Sequence, residues 1–491
     1  MTGQTKGDEL PPLAEAAAGR PGLASLSGWL GSTLFRQSAA GRPSWRQLLA
    51  GVLLAAAGTA VSLARTAGPG SLNTTWIEDA GNFLQDALHQ PVMTTITTQM
   101  NGYYDVVPRV VTAIAVAFPL AWVPAIMSAC AAAEYALFGL IVYIASGPQL
   151  RSPWLRLLAA APVCVVPLGY TQVNNDLATV QFIALYGLFW LLLWRPVTRA
   201  GQLAAPLVML GATLSSILPL LLAPLVAARL VADRSKTSIA VAVCWAAGLL
   251  AQGSVQWRGL SNRSSKMYTS PLWIGGQYLT RVVPRALFGE RALGGSGTNG
   301  EGSPVPLRIP NVAIHDALIC GACAIVVLVV VIALAGRTAP TWPLAVTALV
   351  FSVVLFVGEI VDNLTIVQPR YVIAPALLLY TAIVAMLRPR GRADDASTPG
   401  GPNAEPVGDA PAAGASRGTW PAVASWLPVT VFALLLAVVA GFNYRVINNR
   451  SESPPWTAVV AAAAHECQKP GMGDYVYRHA WWRVQIPCSR V

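Results

Sequence analysis

Residues 121–146 read AWVPAIMSACAAAEYALFGLIVYIAS, with Glu134 as the one acidic or basic side chain in the run. A helix needs roughly 20 apolar residues to cross the hydrocarbon of a bilayer, so this stretch is long enough to span it with some tilt. Runs of similar character recur on both sides and decide the class. With 54% hydrophobic residues, 11% charged and a mean hydropathy of +0.53, the 491 residues carry more apolar surface than a soluble chain could bury. The sequence predicts an all-α polytopic membrane protein. Spans are expected at about 47–65, 121–146, 154–171, 177–194, 200–214, 216–232, 237–254, 312–336, 341–358, 371–387 and 421–442, eleven crossings in all.

Orientation follows from the cations, because cytoplasmic turns collect Lys and Arg. Residues 1–46 are polar and basic and read as a disordered cytoplasmic tail. The cytoplasmic turns of the 47–387 bundle then hold Arg151 and Arg156, Arg195 and Arg199, Arg229 with Arg234 and Lys236, and Arg337, with Arg388, Arg390 and Arg392 at its end. This places the amino terminus inside a plasma membrane and the carboxyl terminus outside. The apolar core within 106–119 is short for a crossing and suits an interfacial or re-entrant helix, so 66–120 reads as one outer loop. Residues 388–418, rich in Pro, Gly, Ala and Asp, predict a flexible cytoplasmic linker before the last helix at 419–442, and 443–491 an extracytoplasmic tail.

Polar residues able to do chemistry collect on the expected outer side. Trp76-Ile77-Glu78-Asp79-Ala80-Gly81-Asn82-Phe83 sets two adjacent carboxylates at the mouth of the first span, followed by Asn101-Gly102-Tyr103-Tyr104 and Pro108-Arg109. A carboxylate at a water–lipid boundary is placed to serve as general base on a lipid-linked substrate; the same pair reads equally as a solvated loop. Asn174, Asn175 and Asp176 sit between two spans on that side, as helix caps or as site residues. Glu359, Asp362, Asn363, Gln368, Arg370 and Tyr371 join two later spans there. The outer loop 255–311 holds seven cations, among them Arg258, Arg263 and Lys266, against Glu290 and Glu301. Recognition of a lipid phosphate by Arg and attraction to anionic headgroups both account for that excess. Deep in the second span, Glu134 is expected to face the bundle interior, as a hydrogen-bonding residue or part of a polar cavity.

Cys130, Cys164, Cys244, Cys320 and Cys323 fall in spans, where a thiol packs as a small apolar group. No further ligands accompany Cys320-x-x-Cys323, and the four histidines form no metal-binding spacing, so no metal and no cofactor are expected. Cys467 and Cys488 bracket Tyr475, Tyr477, Trp481 and Trp482 in the outer tail and predict a disulfide that closes a small cap.

These residues together resemble the GT-C superfamily of integral membrane glycosyltransferases. The shared features are the acidic pair Glu78-Asp79 with Phe83, then Gly102, Tyr103, Pro108 and Arg109, the Arg370-Tyr371 pair, the run from Leu214 to Leu222, and a tryptophan-containing tail ending near Pro487-Cys488. Where many such proteins carry an Asn-x-Gln-Trp-like signature, this chain reads Thr179-Val180-Gln181-Phe182. The resemblance implies transfer of a sugar from a polyprenyl-phosphate donor to an extracytoplasmic cell-envelope glycan or glycolipid, with inversion. By that resemblance Asp79 is the first candidate for the base and Glu78 the next. Arg109, Arg370 and one or more of Arg258, Arg263 and Lys266 would meet the donor phosphate. Trp76, Tyr103, Tyr104, Asn174, Asn175, Asp176, Gln368 and Tyr371 would line the substrate site. A lipid-linked-sugar flippase would share the span number and the cations, but should carry an internal repeat or charges at mid-membrane depth; no repeat is evident. A non-catalytic envelope-assembly protein is the other competitor.

Overall fold

The computed structural model describes residues 23–37, 44–100, 102–165, 168, 175–257, 271–290, 314–335, 338–363, 369–390, 420–445, 447–448, 450–479 and 482–491. The chain is mostly helical. The principal helices are α1 (Leu23–Thr33), α2 (Trp45–Leu63), α3 (Val106–Ala115), α4 (Val123–Ala145), α5 (Pro153–Ala160), α6 (Val180–Leu193), α7 (Arg199–Ser215), α8 (Ala223–Ala232) and α9 (Lys236–Trp257). They continue as α10 (271–288, with a π turn at Tyr278–Val282), α11 (Ile314–Ala335), α12 (Trp342–Asn363), α13 (Ile373–Met386), α14 (Trp420–Asn443) and α15 (Trp456–Glu466). Among the described residues, six helical segments are long and apolar enough to cross a membrane: Trp45–Leu63, Leu120–Ala145, Lys236–Val255, Trp342–Ile360, Pro369–Met386 and Ala424–Asn443. Of the other expected spans, 312–336 holds the 22-residue α11, those at 177–194, 200–214 and 216–232 hold shorter helices, and the helix begun at Pro153 is described only as far as Val165. Local chemistry sets several of these boundaries. Ser44 and Gln47 form a capping box that opens α2, and Pro124, Pro153 and Pro224 occupy first turns, where a missing N–H costs nothing.

The central post is α4. Its buried face carries Ser128, Ala131, Ala132, Tyr135, Ala136 and Gly139. Small residues there let neighbouring helices approach closely. Gly58 of α2 lies so near that an added Cβ would sit 3.2 Å from both Ala136 Cβ and Cys164 Sγ. Glu134 lies at the edge of that face, between buried Ala131 and Phe138 on one side and exposed Leu137 on the other, and is itself only partly exposed.

Hydrogen bonds sort the connections between the two ends of α4. At its C-terminal end, Gln149 donates to the Leu34 carbonyl and Arg195 to the Phe35 carbonyl and to Asp233. Arg229 caps α6 there, donating to the Leu191 and Leu192 carbonyls at 2.8 and 2.9 Å. Thr341 N–H donates to the Ala385 carbonyl, which sets the start of α12 beside the end of α13. At the other end of α4, Ser128 donates to the Ser71 carbonyl and Trp456 Nε1 to the Leu120 carbonyl. The first loop and the carboxyl-terminal segment therefore share one end, away from Arg195 and Arg229.

The amino-terminal tail departs from the expected disorder. Within it α1 packs on α8 and buries Leu30, Leu34 and Phe35, because its apolar residues recur at helical spacing once the chain meets a partner face. The expected outer loop 255–311 also contains structure: α10 is inserted against the bundle, with Tyr278 Oη 2.7 Å from Ser352 Oγ and Tyr380 donating to the Ala286 carbonyl. The linker beyond Arg390 lies outside the described residues.

Among the described residues, two small antiparallel hairpins interrupt the all-helical expectation: β1 (Gln99–Met100) with β2 (Tyr103–Tyr104), and β3 (Asp474–His479) with β4 (Trp482–Pro487). Along β4, Trp482, Val484 and Ile486 point inward and are buried, the alternation expected of a strand with one covered face. A Cys467–Cys488 disulfide ties this hairpin to α15. The cap docks on the first loop: Gln485 N–H donates to Gln85 Oε1, and Asn73 and Thr457 exchange two hydrogen bonds.

That docking predicts a sharp response at Gly68. Its φ is +65°, and an added Cβ would land on the Ser451 carbonyl oxygen, whereas Gly70, at φ +81°, faces open space. Gly68→Ala is expected to destabilise the fold by on the order of 2 kcal/mol, backbone strain alone accounting for part. A thermal unfolding midpoint in detergent checks it, with Gly70→Ala showing the smaller loss.

Candidate active site

Adjacent carboxylates on a helical turn diverge by roughly 100°, and here they part company. A π turn covers Asp79–Leu84, and π turns recur at functional sites because they re-aim side chains. Asp79 points into the fold and is buried. Its two oxygens accept from the backbone N–H groups of Leu177 (3.0 Å) and Ala178 (3.2 Å), capping the helical segment that leads into α6. Beside it, buried Asp176 accepts from Thr179 Oγ1 at 2.7 Å, and Asn175, at φ +55°, exchanges hydrogen bonds with Ser62.

Burial, and next the neighbouring charge of Asp176, push the Asp79 carboxyl up to about 8, against the pull of its two amide donors and of Arg450. The sign is that of a raised acid: stability from the protonated form is complete below the unfolded value near 4 and is lost as pH rises through about 8. Asp79→Asn is expected to flatten that pH dependence. It also leaves one of the two N–H groups without an acceptor, at a cost of about 1–3 kcal/mol. Thermal inactivation midpoints from pH 5 to 9 read both effects.

Glu78 takes the opposite direction. Its Oε1 lies 3.3 Å from Arg370 Nη1, across from the first turn of the segment leading into α13. Both side chains are partly exposed, at 18% and 21%. Glu78 Oε2 and Arg370 Nε are buried atoms with no hydrogen-bond partner among the described residues. A buried acceptor and a buried donor left unpartnered on one ion pair are costly unless something else fills them. Around the pair, the Arg370 guanidinium lies 5.8 Å from the Phe182 ring centroid and 5.5 Å from that of Tyr371, within reach of a cation–π contact. Tyr103 Oη accepts from Gln181 Nε2 at 3.2 Å, and Tyr103 and buried Glu359 both lie within electrostatic reach of Arg370. The structure thus gathers Glu78, Tyr103, Arg370 and Tyr371, drawn from three distant segments of sequence. Gln181 and Phe182, from the stretch that departs from the Asn-x-Gln-Trp-like signature, join them.

Other expected site residues lie elsewhere. Arg109 is buried on Asp86 (2.8 Å), donates to the Thr95 carbonyl and stacks over Phe83, so it braces the first loop from within. Trp76 is buried, and the Tyr104 backbone pairs with the Gln252 amide on α9. Arg258, Arg263, Lys266, Asn174 and Gln368 lie outside the described residues. Among the described residues, no group of three or more His, Cys, Asp or Glu could hold a metal ion. A cavity of about 460 Å³ between the 153–165 segment and α14 is lined by Trp154, Trp426 and other apolar side chains with Thr430, and none of the polar cluster lines it.

Sequence reasoning missed one residue of consequence. Arg450, from the carboxyl-terminal segment, is buried against Asp79 and Asp176 and donates to the carbonyls of Ser71, Thr74 and Asn175 and the hydroxyls of Thr74 and Ser128. A lone Arg in a polar tail carries no spacing signal that could have found it. No family model and no curated protein matches the chain.

Proposed function

We propose that this chain is an inverting membrane glycosyltransferase that takes a sugar from a polyprenyl-phosphate donor. In this reading the eleven helical segments cross the bilayer. Their arginine-bearing turns are cytoplasmic by the positive-inside rule, which puts the Glu78–Arg370 cluster and the disulfide-closed cap outside. The observation that carries the proposal is the unpartnered acceptor Glu78 Oε2 and the unpartnered donor Arg370 Nε on one ion pair.

A donor phosphate competes with Glu78 for Arg370, whose guanidinium suits a phosphate oxygen pair. The Glu78 carboxylate is then released toward the acceptor hydroxyl. Glu78 takes the hydroxyl proton, the acceptor oxygen bonds to the anomeric carbon from the face opposite the phosphate, and the carbon–phosphate oxygen bond breaks. Its electron pair leaves on the polyprenyl phosphate, where Arg370 meets the growing charge. Tyr103, Phe182 and Tyr371 supply aromatic faces for sugar. Asp79 holds the turn that aims Glu78, a positioning role in place of the base first assigned to it.

Purified protein in liposomes, given short-chain polyprenyl-phosphate sugars and envelope glycans as acceptors, tests this. Formation of a new glycoside with inverted configuration supports transfer. Movement of the intact donor between leaflets without a glycoside would replace it with a flippase.

A further inference from the structure

The cavity between the 153–165 segment and α14 is apolar along its length and has no part in the proposed chemistry. It follows α14 from Trp426 to Ala440, about 21 Å at 1.5 Å per residue. Trp154, 72% exposed, and Leu157 and Trp426, each 38%, line it, so the groove is open along its side to whatever surrounds the bundle. In a membrane that is hydrocarbon, and a lining this apolar does not hold water. Its volume of about 460 Å³ has room for about fifteen methylene-sized groups at roughly 30 Å³ each, which is one acyl chain.

Charge gathers at the Val165 and Ala440 end of the groove. Arg65, just past α2, donates to the carbonyl of Cys164, the neighbour of Val165, at 3.4 Å. One turn beyond Ala440, Tyr444 donates to the Val61 carbonyl, and Gly289, just past α10, lies against the Asn443 side chain. These contacts bring Arg65, Glu290, Arg285 and Arg281 within electrostatic reach of one another in turn. Arg65 and Arg285 are buried. Arg65 Nε has no hydrogen-bond partner, and Arg285 Nε lies 3.9 Å from Glu290 Oε1, too far for a hydrogen bond. Among the described residues of this group, three guanidiniums face one carboxylate, a buried excess of positive charge that is costly without an anion. We propose that one anionic phospholipid is held here, with an acyl chain in the groove and its phosphate on Arg65 and Arg285. A polyprenyl chain, several times longer, would overfill the groove. None of the Glu78–Arg370 cluster lines it, so the inference stands apart from the glycosyl-transfer reading and survives its failure.

Native mass spectrometry of the full chain in detergent counts the bound lipid, and thermal unfolding midpoints read its effect on the fold. One phosphatidylglycerol is expected to stay bound and to raise the midpoint, with phosphatidylcholine of the same chains binding roughly tenfold more weakly. Arg285→Gln should lose that preference and bind the two lipids alike. Because removing a buried Arg can unfold the chain, a second variant leaves every charge in place. Ala433→Phe fills the groove and should weaken phosphatidylglycerol binding by roughly tenfold, the loss expected when two or more methylenes are displaced. Equal binding of the two lipids by the wild type would overturn the proposal. So would phosphatidylglycerol binding that Ala433→Phe leaves unchanged, tighter binding of a short-chain polyprenyl phosphate, or an equal rise in midpoint from inorganic phosphate alone.

Discussion

Glu78→Gln is expected to lower the rate of glycoside formation by roughly one hundred- to ten thousand-fold, the range general-base catalysis commonly contributes. The amide keeps the shape of the side chain and one acceptor oxygen, so the loss should fall on kcat and not on folding. The contrast with the adjacent carboxylate makes the test specific. Asp79 already spends both oxygens on the Leu177 and Ala178 amides, whereas Glu78 Oε2, on the ion pair with Arg370, has no hydrogen-bond partner among the described residues. Asp79→Asn should therefore change stability and its pH dependence more than the rate measured on folded protein. Glu78→Asp, with its carboxylate withdrawn by one methylene, should restore part of the activity. Arg370→Lys should raise the KM for the donor, because an ammonium cannot reproduce the planar pairing of a guanidinium. Full activity in Glu78→Gln, with loss confined to Asp79→Asn, would return the base to Asp79.

The sequence spoke clearly about positions along the chain and poorly about directions in space. Residues 121–146 announced a spanning helix through length and composition alone, and α4 occupies that stretch. The same run gave no account of which of its faces packs most closely. That is settled by Gly58, Gly139 and the alanines, whose close contacts fix the rotation of the helix. At the site, Glu78, Tyr103, Arg370 and Tyr371 were marked by residue type at outer helix ends, and their convergence is a tertiary fact. The opposite directions of Glu78 and Asp79 lay out of reach, since they depend on a π turn, a local change of helical register that composition does not encode. Arg109 misled for a related reason. A cation next to an aromatic-rich loop reads the same whether it waits for a phosphate or already holds Asp86.

Arg450→Met is expected to cost the fold about 3–5 kcal/mol, the usual consequence of removing one partner from a buried set of charges. The guanidinium reaches the Ser71 and Thr74 carbonyls at 2.9 and 3.0 Å, the Asn175 carbonyl at 3.1 Å and Ser128 Oγ at 2.6 Å. It thereby pins the first loop, the 175–179 turn and α4 to the carboxyl-terminal segment. Methionine fills much of the volume but strands these acceptors and leaves Asp79 and Asp176 buried without their cation. Arg450→Lys should fall between, as an ammonium cannot reach acceptors spread over three segments. Adding Asp176→Asn to Arg450→Met should recover part of the loss by removing one stranded charge. Thermal unfolding in detergent gives the magnitudes, and hydrogen exchange should place the loosening at residues 70–80 and 175–180. Because Asp79 aims the turn that carries Glu78, activity should fall with Arg450→Met even below its unfolding temperature. A change no larger than that from Arg445→Met, at an exposed position five residues earlier, would mean that the cap rests on the bundle without holding the site together.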